Sequence, residues 1–170
     1  MPEARLTLVL GGARSGKSRF AEDLVTGLPA PWHYIATAQA LDDEMRARIA
    51  QHRARRAAGW VTTEVPIELA PALEALPEGR PVLVDCLTLW LSNLILAGRD
   101  AEAEADRLAA TLARPRGSWV VVANEVGLGI VPENPLARRF RDAAGRLNQR
   151  AAAAADRVVL TVAGLPVEVK

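Results

Sequence analysis

Residues 11–18 read Gly11-Gly12-Ala13-Arg14-Ser15-Gly16-Lys17-Ser18 and follow directly on an apolar run, Leu6-Thr7-Leu8-Val9-Leu10. The octapeptide matches the pattern G-x-x-x-x-G-K-[ST], in which glycines let backbone amides approach phosphate oxygens. The lysine of this pattern reaches the β- and γ-phosphates, and the hydroxyl residue ligates Mg²⁺. A strand before the loop and a helical segment after it, here Ser18 to Val25, are the context that the pattern requires. The sequence therefore predicts a phosphate-binding loop, or P-loop, and a nucleotide ligand.

Composition predicts one compact domain that spans residues 1–170. Half of the 170 residues are hydrophobic and the formal net charge is +1, which gives no electrostatic case for nucleic-acid or membrane-surface binding. The single cysteine, Cys86, excludes an internal disulfide and a cysteine metal cluster, and its apolar surroundings favour a core residue over a nucleophile. Neither a secretion signal nor a membrane segment is indicated, so we expect a cytoplasmic protein.

Strand-like and helical segments alternate along the chain, which is typical of an α/β domain with a mainly parallel sheet flanked by helices. Continuous aliphatic residues favour central strands that are covered on both faces, and ligands of such folds bind at the carboxyl edge of the sheet. A final strand, Val167 to Val169, is expected to pair antiparallel with the one before it, after a turn at Gly164-Leu165-Pro166. The other predicted strands are Arg5 to Leu10, His33 to Thr37, Val82 to Asp85, Trp119 to Asn124 and Arg157 to Val162; the predicted helices include Asp42 to Arg56, Asp100 to Ala113 and Leu136 to Ala155.

Asp85 ends the apolar strand Val82-Leu83-Val84 and is the candidate for the carboxylate that holds Mg²⁺ opposite the P-loop hydroxyl of Ser18. The alternative is a strand-end aspartate that caps the helix beginning at Leu87. Because a P-loop is present, the metal role is favoured.

The segment from Asp42 to Arg56 carries acids at its start and arginines at its end, which complement a helix dipole. His52 lies among the arginines, whose charge disfavours the imidazolium form and leaves a neutral nitrogen available. Such a nitrogen can attack a nucleotide phosphorus and form a phosphoramidate. From the residues alone, a solvated histidine on a charged helix is the favoured interpretation. The other histidine, His33, has no such company and is expected to be structural.

A glycine- and proline-rich stretch, residues 124–135, begins where a core strand ends and is expected to form an ordered loop that covers the site. Glu125 is the candidate for orienting or deprotonating an acceptor hydroxyl. The alternative is a carboxylate that accepts hydrogen bonds from loop amides. A following helix carries arginines that could meet an anionic substrate, a neighbouring subunit or water: Arg138, Arg139, Arg141 and Arg146.

Several motifs together resemble the bifunctional adenosylcobinamide kinase/adenosylcobinamide-phosphate guanylyltransferase family of cobalamin biosynthesis. The resemblance covers nearly the whole chain, and its most specific motif is Asn-Glu-Val-Gly-Leu-Gly-Ile-Val-Pro-Glu-Asn at 124–134. Its other motifs are the P-loop, Tyr34-Ile35-Ala36-Thr37-Ala38, the helix from Leu41 to His52, and residues 138–150.

The resemblance implies a RecA-like P-loop fold, a homotrimer and two reactions. In the first, adenosylcobinamide is phosphorylated with ATP or GTP; in the second, GMP passes from GTP to adenosylcobinamide phosphate through a guanylylated histidine. His52 is the histidine in the matching region, although some members carry two adjacent histidines where this chain has Gln51-His52. The nucleotide contacts implied by the resemblance are Gly11, Gly12, Ala13, Arg14, Ser15, Gly16, Lys17, Ser18, Ala36, Thr37, Ala38, Arg53, Ala54, Arg55, Arg56, Glu64 and Asp85.

Two other classes of function remain compatible with the residues. A P-loop kinase for a different small metabolite would form no covalent nucleotide and would show no preference for GTP. A nucleotide-dependent regulatory module would need a protein partner. The enzyme is favoured because basic, imidazole and carboxylate groups are all expected around one phosphate site.

Overall fold

We describe residues 5–54 and 58–170 of a computed structural model; the side chains of Arg48 and His52 lie outside this description. Within it, a sheet of seven strands has the order β3-β2-β4-β5-β1-β6-β7. All neighbouring strands are parallel except β6 and β7. The strands are β1 (Leu6–Gly11), β2 (Trp32–Ala36), β3 (Trp60–Glu64), β4 (Val82–Asp85), β5 (Trp119–Asn124), β6 (Arg157–Val162) and β7 (Leu165–Glu168).

Helices cover both faces of this sheet, as the alternating sequence pattern predicts. The larger core cluster joins the sheet to the helices that follow β3, β4 and β5, and the smaller cluster packs one face against the first helix. Among the described helices, none combines the length and apolar character needed to cross a bilayer. The helices are α1 (Lys17–Thr26), α2 (Asp43–Ala54), α3 (Leu69–Glu74), α4 (Leu87–Leu96), α5 (Ala101–Leu112) and α6 (Pro135–Ala154).

The central strands are buried on both faces, which explains their unbroken aliphatic sequences. Leu83 of β4 packs in the smaller cluster, whereas its neighbours Val82 and Val84 pack in the larger one. Because successive side chains of a strand point to opposite faces, a strand covered by helices on both sides must be apolar throughout. The prediction of central strands at these positions is confirmed.

Two elements escape the sequence analysis. β3 is an edge strand whose residues from Val61 to Glu64 are exposed, so its sequence lacks the apolar run that marks the central strands. α3 has only six residues and carries Pro71 at its third position, too short a segment to show helical periodicity.

The final strand forms, but two residues earlier than predicted. The chain reverses at Ala163 and Gly164, whose φ values are 52° and 82°, the combination of positive angles that a two-residue hairpin turn needs. Pro166 therefore lies inside β7 and pairs with Thr161. β7 is the last strand of the sheet, and an edge strand tolerates the missing N–H of proline.

Candidate active site

The P-loop connects β1 to α1 through two residues with left-handed backbone angles. Arg14 has φ 57° and Gly16 has φ 92°. Gly16 caps α1 without any side-chain hydrogen bond, so the first amides of α1 are not satisfied by a capping side chain. The first amides of a helix and the positive end of its dipole favour an anion, and phosphate binding by this loop stays a prediction. Lys17 Nζ donates a hydrogen bond to the carbonyl oxygen of Gly12 at 3.1 Å, across the loop.

The loop is supported from the strand beside it. Ser15 Oγ and Thr161 Oγ1 of β6 lie 2.9 Å apart, and Thr161 Oγ1 donates to Leu10 O at 3.0 Å. Gly164, in the β6–β7 turn, donates its N–H to Ser15 O at 2.8 Å. A Cβ atom on Gly11 would lie 2.3 Å from both hydroxyl oxygens. The glycine is therefore required at this position because the two hydroxyls occupy the space of a side chain.

The carboxyl ends of four parallel strands meet around one pocket of about 180 Å³. Lys17 and Ser18 contribute the P-loop side, and Asp85 and Asn124 come from the ends of β4 and β5. The remaining lining residues are Tyr34, Ala36, Ala38, Met45, Ile49, Arg53, Glu64, Cys86 and Leu89. The pocket therefore lies at the carboxyl edge of the sheet, where ligands of open α/β folds bind.

Asp85 faces this pocket and does not cap the helix that follows it. Its Oδ2 accepts a hydrogen bond of 2.8 Å from the hydroxyl of Tyr34. α4 has Cys86 as its N-cap residue, without a side-chain capping bond. The helix-capping alternative is therefore not what this geometry shows, and the metal-holding role stays a prediction.

The implied nucleotide contacts at 36–38 divide into two groups. Ala36 and Ala38 line the pocket, whereas Thr37 is 0% exposed and its side chain forms hydrogen bonds within the protein. Thr37 Oγ1 donates to Cys86 O at 2.7 Å and accepts from Cys86 N at 2.9 Å. Asn93 Nδ2 donates to Thr37 O at 2.8 Å. The side chain of Thr37 therefore ties the end of β2 to the start of α4.

Helix α2 forms the outer wall of the pocket. Asp42 Oδ1 accepts from Met45 N at 2.7 Å, which confirms that an acid caps this helix. Arg53 lies in the wall and forms an ion pair with Glu64 at the end of β3. Ala54 ends the helix and is exposed.

Three of the predicted site residues lie wholly or partly outside the description. The backbone of His52 belongs to α2, but its side chain is not described. Arg55 and Arg56 fall outside the described residues altogether.

Glu125 does not line the pocket. Its Oε1 accepts a hydrogen bond of 2.7 Å from the N–H of Gly127, which is the structural alternative considered for this carboxylate. The loop that follows is ordered by Arg138, which donates to the carbonyl oxygens of Pro132 and Glu133. The expectation that this loop covers the site is not met, because Asn124 is the residue of the stretch that lines the pocket.

The other arginines of α6 mostly bond within the chain. Arg141 pairs with the neighbouring Asp142 at 3.1 Å, and Arg146 pairs with Glu102 of α5 at 2.8 Å. The pKa of Glu102 is lowered because its carboxylate accepts hydrogen bonds from Arg150 and Arg146. The two ion pairs of Glu102 join α6 to α5.

His33 and Cys86 are structural, as the sequence analysis expects. His33 Nε2 lies 2.8 Å from Thr63 Oγ1 on the neighbouring strand, and burial together with the charge of Arg80 lowers the pKa of His33. Burial, followed by the nearby charge of Asp85, raises the pKa of the Cys86 thiol to about 11. A thiol with that pKa stays protonated at neutral pH and is a poor nucleophile.

Sequence reasoning missed three residues of the site and its support: Tyr34, Asn124 and Thr161. Asn124 and Thr161 stand at or near strand ends, so each could have been noticed as a polar residue at the carboxyl edge of the sheet. Tyr34 lies in the middle of β2 beside the buried Ile35, so its sequence position gives no such signal. Their partners are distant in sequence, however, and only the strand order brings them together.

Comparison with solved structures identifies the class of the fold. The chain superposes on an ATPase from the type III secretion system of pathogenic bacteria with a TM-score of 0.58 and 12% identity, over 96% of this chain and 56% of that one. A protein from Pyrococcus horikoshii gives a TM-score of 0.58 at 10% identity, over 98% of this chain and 86% of that one. These likenesses concern the fold alone. Together with the loop at 11–18, they define a P-loop nucleotide-binding protein with a RecA-like α/β sheet.

Comparison with known sequences then identifies the family. A family model described as cobinamide kinase / cobinamide phosphate guanyltransferase matches residues 7–169. The chain is 51% identical to the bifunctional adenosylcobalamin biosynthesis protein CobP of Pseudomonas aeruginosa, over 96% of each chain. It is 46% identical to the bifunctional adenosylcobalamin biosynthesis protein CobU of Salmonella typhimurium, over 97% of this chain and 99% of that one. The chain belongs to the cobinamide kinase / cobinamide phosphate guanyltransferase family and is a bifunctional enzyme of that kind.

The hydrogen bond between the hydroxyls of Ser15 and Thr161 allows a test of how β6 stabilises the P-loop. Thr161→Val keeps the side-chain shape but leaves the buried hydroxyl of Ser15 without its partner, so we expect a loss of about 1–3 kcal/mol in the free energy of unfolding. Ser15→Ala should reduce that loss when the two changes are combined, because the orphaned hydroxyl is then absent. Urea unfolding of the four proteins measures the coupling, and strictly additive losses would contradict it.

Proposed function

We propose that this enzyme phosphorylates the hydroxyl of adenosylcobinamide with ATP or GTP, and then transfers GMP from GTP to adenosylcobinamide phosphate. It would do so in the cytoplasm, within one domain of residues 1–170. The observation that carries the proposal is the single pocket shared by the P-loop, Asp85 and helix α2. One bound triphosphate there would present its γ-phosphorus to an acceptor near the sheet and its α-phosphorus toward α2.

In the kinase reaction, the P-loop amides and Lys17 hold the triphosphate and neutralise charge that develops on it. The substrate oxygen forms a bond to the γ-phosphorus, and the bond from that phosphorus to the β,γ-bridging oxygen breaks. The nucleoside diphosphate leaves with the electron pair. Positioning and charge stabilisation account for most catalysis of this reaction class, which suits a site built from fixed backbone amides.

The donor groups for Mg²⁺ fit that ion. Ser18 and Asp85 supply a hydroxyl and a carboxylate to the same pocket, and Mg²⁺ prefers one or two oxygen ligands from protein together with phosphate oxygens. Tyr34 fixes one oxygen of Asp85, which orients the carboxylate before the ion binds. When bound, Mg²⁺ would neutralise charge on the phosphates.

In the transferase reaction, His52 is the proposed nucleophile. Its position in α2 is three residues after Ile49 and seven after Met45, both of which line the pocket. Positions three, four and seven apart share one face of an ideal helix, and this spacing relates position 52 to two residues that line the pocket. This placement supports the role that the family resemblance implies.

The proposed intermediate is a phosphoramidate. An imidazole nitrogen of His52 forms a bond to the α-phosphorus of GTP, pyrophosphate leaves with the electron pair of the broken P–O bond, and the ring proton passes to water. A phosphate oxygen of adenosylcobinamide phosphate then attacks the same phosphorus and displaces the imidazole. The product is adenosylcobinamide-GDP.

Labelling tests the histidine directly. Incubation with α-³²P-labelled GTP should leave acid-labile label on the wild-type protein and none on His52→Ala, because the mutant lacks the attacking nitrogen. His33→Gln is the matched control and should label normally, since His33 bonds to Thr63 on the neighbouring strand. If His52→Ala and the wild type were labelled equally, the assignment to His52 would be refuted. If neither protein were labelled, a kinase without a covalent step would be favoured.

The metal assignment predicts a change in Mg²⁺ dependence. Asp85→Asn removes the carboxylate charge and should weaken Mg²⁺ binding. We therefore measure the Tm of the nucleotide complex against Mg²⁺ concentration, and expect the concentration that gives half of the maximal rise in Tm to increase about tenfold or more. Tyr34→Phe should shift it in the same direction by less, because the carboxylate remains but loses one hydrogen bond. Asp23→Asn, on the exposed side of α1, is the control. An unchanged Mg²⁺ dependence in Asp85→Asn would contradict the proposed role.

A homotrimer is the proposed assembly. The structure shows exposed aliphatic side chains in the loop after β5 and at the start of α6. Ile130 is 98% exposed and Leu128 85%, with Val131 and Leu136 more than half exposed. Exposed apolar patches of this kind favour contact with another protein surface. We call residues Leu128, Ile130, Val131 and Leu136 the apolar loop surface.

Sedimentation analysis tests both the assembly and its surface. The wild-type protein should sediment with three times the 18.2 kDa chain mass, and Ile130→Asp should release monomers because a buried unpaired charge is costly. Leu165→Asp, in the exposed hairpin strand β7, is the control and should leave the assembly intact. Dissociation by Leu165→Asp with an intact Ile130→Asp trimer would move the interface to the hairpin.

A further inference from the structure

Asn124 occupies a position that neither the sequence analysis nor the family resemblance assigns. It is the last residue of β5, the strand that lies between β4 and β1 in the sheet. It pairs in register with Gly11 at the start of the P-loop. Asn124 is one of the residues that line the pocket, and its strand lies between the strand that ends at Asp85 and the strand that leads into the P-loop with Lys17 and Ser18.

The backbone of Asn124 is held at both of its polar groups. Its N–H donates to Thr88 Oγ1 at 2.7 Å, and its carbonyl oxygen accepts from Asn148 Nδ2 at 3.2 Å. Both partners come from helices packed against the sheet, Thr88 from α4 and Asn148 from α6. These two hydrogen bonds fix the backbone position from which the Asn124 side chain extends. A side chain that orients a reactant needs a fixed position of this kind.

The side-chain oxygen of Asn124, unlike its backbone groups, lacks a hydrogen bond to the described residues. Asn124 Oδ1 is buried and has no hydrogen-bond partner within the described part of the chain. Buried polar atoms are almost always paired, because desolvation without a hydrogen bond is unfavourable. An unpaired acceptor at the wall of a ligand pocket is accounted for if the ligand supplies the missing donor.

We propose that Asn124 Oδ1 accepts the hydrogen bond of the substrate hydroxyl in the phosphorylation step; this rests on the proposed function. A carboxamide is neutral and does not take up a proton at physiological pH, so its role is to orient the hydroxyl oxygen toward the γ-phosphorus. As the new P–O bond forms and the bridging bond breaks, the hydroxyl proton passes to an oxygen of the transferred phosphoryl group.

Glu125 was the sequence-based candidate for this role, but the contacts of the two residues in the structure favour its neighbour Asn124. The Glu125 carboxylate accepts from the Gly127 amide and does not line the pocket, whereas Asn124 is a lining residue whose buried side-chain oxygen has no partner among the described residues. A strand alternates its side chains between faces, so two consecutive residues at a strand end point in different directions.

The test separates the two reactions of the enzyme. Asn124→Ala should lower kcat for phosphorylation of adenosylcobinamide by about 100-fold, the scale of losing the orientation of one reactant. Guanylyl transfer to supplied adenosylcobinamide phosphate should change less than about threefold, because that acceptor needs no hydroxyl to be oriented. The dissociation constant of the nucleotide should also change less than about threefold, since the P-loop amides remain.

Asn124→Leu is the second variant, of similar volume but without an acceptor, and should show the same split between the two reactions. Asn134→Ser is the matched control: Asn134 caps α6, serine keeps that cap, and both activities should be unaffected. Unchanged phosphorylation in either Asn124 variant, or equal losses in both reactions, would overturn the proposal. Failure of the proposed function would appear separately, as a wild-type protein that binds nucleotide but does not phosphorylate adenosylcobinamide.

Discussion

Hydrogen bonding of β5 between β4 and β1 is the constraint on which the site depends. Parallel pairing aligns the carboxyl ends of these strands, so that Asp85, Asn124 and the P-loop reach the same edge of the sheet. β4 and β1 are separated by about 70 residues of sequence, and no local interaction could bring them together. The buried aliphatic side chains of both strands stabilise this pairing from the two faces of the sheet.

A second layer of contacts holds the loops that leave this edge. Thr161 and Gly164 support the P-loop from β6 and its turn, while Thr37 and Asn93 tie the end of β2 to α4. The amides of the P-loop are thus held in place by hydrogen bonds to other elements of the fold. Prior organisation of this kind is what a phosphoryl-transfer site requires, because most of its catalytic effect comes from fixed positions and charges.

The outer wall of the pocket is built differently from its floor. The floor consists of strand ends fixed by the sheet, whereas the wall is one polar helix, α2, that reaches β3 through the exposed Arg53–Glu64 pair. An exposed ion pair contributes little free energy. In the proposed mechanism, the γ-phosphorus would react at the floor and the α-phosphorus at the wall.

The sequence alone predicts the P-loop motif, the parallel α/β class and the central strands, and it marks Asp85 as a candidate, because each depends on a local pattern of glycines, aliphatic residues or a strand-end carboxylate. It left open whether Asp85 caps a helix and whether Glu125 faces a substrate or a loop amide. It missed β3, α3, Tyr34 and Asn124. Only the tertiary structure decided these points, because the hydrogen bond from Tyr34 to Asp85 and the unpaired oxygen of Asn124 exist only after distant strands have paired.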